Sequence, residues 1–143
     1  MNVNSEISFH AESIDFSFEH EEKVQEWLGK LASHHARTIG TLNYIFCSDE
    51  YLLQLNKEHL DHDYYTDILT FPYQDHPIIS DIYISVDRVR DNAAEYGVDE
   101  TQELLRVMAH GLLHLIGFDD HGEGEVARMR AAEEEALGMI DLI

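Results

Sequence analysis

Basic side chains are scarce in this chain: nine lysines and arginines stand against 29 aspartates and glutamates, a formal net charge of −20 over 143 residues. That balance excludes the broad cationic footprint with which nucleic-acid binders neutralise phosphates, so only weak binding to naked RNA is expected, and no binding to DNA. Surplus carboxylate is compatible with a salt-rich cytoplasm, where mobile ions screen the repulsion. The Glu133-Glu134-Glu135 run reads as part of a solvated acidic face. Cysteine is almost absent too. The single Cys47 excludes an internal disulfide and reads as a small core residue at the end of an apolar strand-like run. No apolar run approaches the ~18 residues of a membrane span. The stretch Met1–Asp15 has no basic start followed by an apolar segment, so no secretory signal is readable and the expected location is the cytoplasm.

What is present suits a small enzyme. Hydrophobic residues make up 44% of the chain, too many for disorder, and the length suits one domain, 1–143, with a single core. Alternation over 3–9 predicts a strand, and Val24, Trp27, Leu28 and Leu31 at helical spacing predict a helix from Glu21 to about Ala36. Thr41–Cys47 reads as a strand and Asp49–Leu60 as a helix. A polar loop over 61–66 leads to strands at 67–72 and 79–85, joined through turn-forming Tyr73–Pro77. Helices are predicted over Arg88–Tyr96, ended by Gly97, over Glu100–Ile116 with a buried stripe of Leu104, Leu105, Met108, Leu112 and Leu115, and over Glu123–Met139. The expected fold is α+β: a mixed sheet of about four strands packed with about five helices, the Glu100–Ile116 helix central.

That central helix carries the chemistry. His110 and His114 lie four apart, and side chains at that spacing stack on one helical face, so two imidazoles can converge on one ion. Gly117 can take the left-handed conformation that ends a helix and lets the chain return over it. Asp120 follows at the third-ligand place, with His121 one residue later as the alternative. The pattern His-x3-His-x2-Gly-x2-Asp matches the ligand spacing of extended zinc-protease motifs, but Gly111 stands where those motifs carry their general-base glutamate. Three protein ligands leave a position for water, with zinc the expected ion and other divalent ions as alternatives. With Asp120 as ligand, harder ions such as manganese become more competitive.

The segment His110-Gly-Leu-Leu-His-Leu-Ile-Gly-Phe-Asp119 resembles the signature of the YbeY-type endoribonucleases, His-Gly-x-Leu-His-Leu-x-Gly-Tyr-Asp-His. Two further stretches are similar to that family: Asn56 followed by Thr66-Asp67-Ile68-Leu69-Thr70-Phe71-Pro72, and Asp81-Ile82-Tyr83-Ile84-Ser85. The resemblance implies a metal-dependent endoribonuclease of 16S ribosomal RNA 3′-end maturation and ribosome assembly or quality control. Its implied partners are ribosomal RNA and the ribosomal particle. Catalytic candidates are then His110, His114 and Asp67, the last orienting a ligand or moving a proton, with His62 beside it as a weaker candidate; a structural turn role for Asp67 stays open. Two positions depart from the family. Leu60 falls where a functional arginine usually stands, with Lys57, His59 or His62 as alternative sources of positive charge, and Asp120 aligns with the family's third histidine. A small metalloprotease remains an alternative class, as does a ribosome-associated binding protein whose ion is structural and closed by a fourth ligand such as His121 or Cys47.

Overall fold

A computed structural model describes residues 6–60, 66–119 and 122–140, Leu60 through its backbone alone. Four strands and five helices follow one another as β1 (Glu6–Glu12), α1 (Glu21–His34), β2 (Ile39–Cys47), α2 (Asp49–Leu60), β3 (Ile68–Gln74), β4 (Ile78–Ser85), α3 (Val86–Tyr96), α4 (Glu100–Ile116) and α5 (Glu123–Leu137). The strands form one mixed sheet in the order β1-β2-β4-β3, with β1 parallel to β2, β2 parallel to β4, and β3 antiparallel to β4. Helix crossovers make the parallel neighbours, as parallel pairing demands, and a short turn makes the antiparallel one. This is the α+β arrangement expected, with two shifts. The first strand, described from Glu6, runs on to Glu12, past the expected end, with Ile7 and Phe9 beside Leu42 and Tyr44 on the core side. In the hairpin Tyr73 and Gln74 stay in β3, confining the turn to Asp75–Pro77.

Alternation along β4 sorts the two sheet faces. Ile78, Ile82 and Ile84 turn to the main core with Leu42, Tyr44 and Phe46 of β2, where they meet Val24, Trp27, Leu28 and Leu31 of α1 and Met108 and Leu112 of α4. The opposite face holds a smaller cluster, Cys47, Leu52 and Leu69, under α2. Cys47 is fully buried there and its thiol is pushed up to about 12 by burial and by Asp87, Asp49 and Glu12, so it is a core residue and a poor metal ligand. Two buried hydrogen bonds tie the layers: the Tyr44 hydroxyl donates to the Met108 carbonyl at 2.9 Å, and the Trp27 indole donates to the Ala136 carbonyl at 2.7 Å. Among the described residues no helix is long and apolar enough to cross a membrane.

Candidate metal and catalytic site

Helix α4 is held at both ends and along one side. The Asp99 carboxylate accepts the Thr101 N–H at 3.1 Å, satisfying a donor that the first turn leaves open. At the other end Gly117 has φ 126°, a backbone conformation that an L side chain avoids, and its N–H donates to the carbonyls of Leu113 and His114 at 3.1 Å. Between them Gly111 lies against the sheet: a Cβ there would stand 2.8 Å from Ile68 Cδ1 and 3.3 Å from Ile82. The position that carries the base in zinc proteases therefore faces β3 and β4, and a glutamate there would run into the Ile68 and Ile82 side chains. The buried stripe includes Leu104, Leu105, Met108 and Leu112 as expected, and extends to Val107, Ala109 and Leu113. Leu115 is partly buried.

His110 and His114 leave this helix on the flank away from the core, His110 half-buried and His114 exposed. The last turn concentrates the negative end of the helix dipole, which favours a cation beside them. His110 is fixed from behind. Its Nδ1 lies 2.7 Å from Glu133 Oε2 on α5, and Arg106 Nη1 donates to Glu133 Oε1 at 2.9 Å. Arg106 also grips Glu103 with two parallel bonds, Nε to Oε1 at 2.9 Å and Nη2 to Oε2 at 2.6 Å. Burial alone would raise the carboxyl of Glu133, but hydrogen bonds from His110 and Arg106 outweigh it and hold the group below the ordinary carboxylate range. An ionised Glu133 only accepts, so Nδ1 of His110 carries the proton and Nε2 is the nitrogen that would meet an ion.

The donor set thus fits a divalent metal. Two carboxylates and one guanidinium leave a single negative charge behind a neutral His110, which a cation at the imidazole would balance. Asp67, just before β3, lies close enough to His110 and Arg106 to feel both. Burial, the larger influence, raises its carboxyl above the ordinary range against the opposing pull of the Arg106 guanidinium. Its carbonyl accepts the Ser85 N–H at 2.9 Å, tying the start of β3 to the end of β4.

Asp120, His121 and His62 lie outside the described residues, as does the side chain of Leu60. Lys57 and His59, the proposed substitutes for an arginine, are exposed in the last turn of α2, with the His59 ring edge-on to Phe71 at 5.8 Å. Among the described residues one group of three potential ligands converges, His34, His35 and Glu135, and it contains neither His110 nor His114.

The acidic run at 133–135 corrects the sequence reading. Glu134 and Glu135 are exposed, but Glu133 is 2% exposed and is part of the site. The signal was present: Glu103, Arg106, His110 and His114 recur at three- and four-residue steps, a polar stripe on a mostly buried helix.

Fold and site define an α+β domain whose central helix presents a histidine pair, one ring of it backed by a buried carboxylate. Residues 6–141 match the family model described as endoribonuclease YbeY, and the chain belongs to that family. It is 46% identical to the endoribonuclease YbeY of Cytophaga hutchinsonii over 93% of this chain and 94% of that protein. The corresponding protein of Porphyromonas gingivalis is 42% identical over 95% of this chain and 91% of its own length. The solution structure of TM1509 from Thermotoga maritima superposes with a TM-score of 0.62 at 26% identity, covering 92% of this chain and 89% of that one.

Proposed function

We propose that this chain is a metal-dependent endoribonuclease acting on ribosomal RNA, in maturation of the 16S 3′ end and in ribosome assembly or quality control in the cytoplasm. Family membership supports the endoribonuclease activity. The bond from His110 Nδ1 to Glu133 supports the metal, because it is how a protein fixes the tautomer and aim of a ligating imidazole. His110, His114 and Asp120 would hold one divalent ion, zinc first; the three steps from Gly117 to Asp120 support Asp120 over His121. When bound, the ion supplies Lewis acidity, which makes water a competent nucleophile near neutral pH and draws charge from a phosphoryl oxygen. Glu133 and Arg106 keep His110 aimed, and Asp67 orients that group or moves a proton beside it. The protease alternative is disfavoured by Gly111, whose side faces the sheet.

Charge bears on the partner. Arg37, Arg88, Arg90 and Arg106 each make an ion pair with a carboxylate, so four of the nine basic side chains already face a negative charge of this chain. Naked RNA should bind weakly, and RNA presented on a ribosomal particle or with divalent cations better. The decisive experiment is metal stoichiometry after dialysis together with cleavage of a precursor ribosomal RNA. His110→Ala and His114→Ala should each bind one equivalent of zinc fewer than the wild type and lose the cleavage; a zinc stoichiometry equal to that of the wild type in either overturns the site. Asp120→Ala should lose ~10-fold or more in zinc affinity and His121→Ala little, and the reverse order would move the third ligand to His121.

A further inference from the structure

We propose that His34, His35 and Glu135 form a second divalent-metal site, separate from the α4 histidines, on the surface where the end of α1 meets α5. One ligand atom from each of these residues lies within 4.8 Å of the other two. His34 Nε2 is 3.0 Å from Glu135 Oε1, so two of the three donors already meet across 101 residues of chain.

Neighbouring residues on a regular helix point about 100° apart and do not share a ligand. Here the helix stops between them. His34 is the last residue of α1 and His35 is its cap, at φ −99° and ψ 18°, so the second ring leaves the helical register and comes edge-on to the first with centroids 5.0 Å apart. Packing then fixes that ring: Phe118 lies edge-on at 5.2 Å, and the ring's Nε2 is shielded from solvent with no hydrogen-bond partner among the described residues. The orientation of His35 is thus set by aromatic contacts and not by hydrogen bonds that an ion would have to break.

Two imidazoles and one carboxylate are the donor set of borderline ions, zinc, nickel and copper(II), and a poor one for magnesium or calcium, which prefer oxygen. His34 and Glu135 are both substantially exposed, so an ion can reach the site from solvent and water can complete its coordination. An ion held there joins the end of α1 to α5, the helix that also carries Glu133.

The site shares no residue with the α4 histidine pair and can be tested without it. Apo protein, stripped with a chelator, is titrated with zinc and with nickel, as wild type, as His34→Gln, as Glu135→Gln, and as His110→Ala/His114→Ala. The double α4 variant should keep one equivalent of zinc, and combining it with His34→Gln or Glu135→Gln should weaken that remaining binding by ~10-fold or more. In the wild-type protein, substoichiometric nickel should broaden the amide resonances of residues 32–36 and 133–137, and zinc should raise the melting temperature of the double α4 variant but not of the version also carrying His34→Gln. Unchanged zinc affinity on replacing both His34 and Glu135, or nickel broadening confined to the neighbourhood of His110 and His114, would overturn the proposal. Loss of zinc from the double α4 variant alone, with the surface residues intact, would overturn it too.

Discussion

Glu133 and Glu135 stand two residues apart on α5, and each meets a histidine from another helix. The first pair joins Glu133 to His110 at 2.7 Å, with the glutamate side chain 3% exposed; the second joins Glu135 to His34 at 3.0 Å, with that side chain 55% exposed. Two steps along a helix rotate a side chain by about 200°, so the two glutamates address opposite neighbours, α4 and the end of α1. Similar bond lengths conceal different energetics. In the buried pair the carboxylate has lost its water and depends on Arg106 and His110 for replacement, whereas the exposed carboxylate keeps solvent as an alternative partner. The buried pair can therefore hold a ring to one orientation, and the exposed pair can be opened by an ion at little expense.

The largest expected contrast is in stability. With a chelator present, Glu133→Ala should lose ~3 kcal/mol or more, since it takes from Arg106 Nη1 and His110 Nδ1 the carboxylate they share in a dry setting, and the melting temperature should fall by roughly 10 °C. Glu135→Ala should stay within ~1 kcal/mol. Urea unfolding of the two variants compares them directly, and equal losses would break the distinction.

A smaller effect separates them by pH. The Glu133 carboxyl is held below its ordinary value of 4.5, so the stability it contributes is fully present above that value and is lost as pH falls through the lower, folded-state value. Glu133→Gln should accordingly be less stable than wild type near neutrality, and the gap should narrow as the pH is taken below 4.5. A gap that stays constant from neutral to acid pH would mean that Glu133 acts through shape and not through charge. Salt should give the smallest difference. Raising ionic strength to ~1 M shortens the screening length to about 3 Å, which should erase the few tenths of a kcal/mol from the exposed pair and leave the Glu133 contribution almost unchanged.

The same contrast explains what the sequence could disclose. Helical periodicity located α1, α2 and α4, and Gly97 and Gly117 marked the stops of α3 and α4, because these are local consequences of side-chain spacing and backbone freedom. His110 and His114 were legible for the same reason. Glu133 was not. Three consecutive glutamates on a helix span more than half its circumference, so one of them can turn inward, but which one does depends on Arg106 and His110 arriving from a different helix. The end of β1 was misjudged on similar grounds, since its extent is set by pairing with β2 as far as Cys47 rather than by its own alternation.

Gly111 has a bearing on the evolutionary reach of this helix. Many hydrolases share the spacing of two histidines four apart, and on paper a single substitution at 111 would add the glutamate that zinc proteases use. Here the first carbon of any side chain at 111 already meets Ile68. A lineage moving from one chemistry to the other would have to move the Ile68 and Ile82 side chains aside, and the new side chain would still leave the helix toward the sheet. The two reactions lie a packing layer apart, because the side of the helix that would carry the new group is the side that faces Ile68 and Ile82.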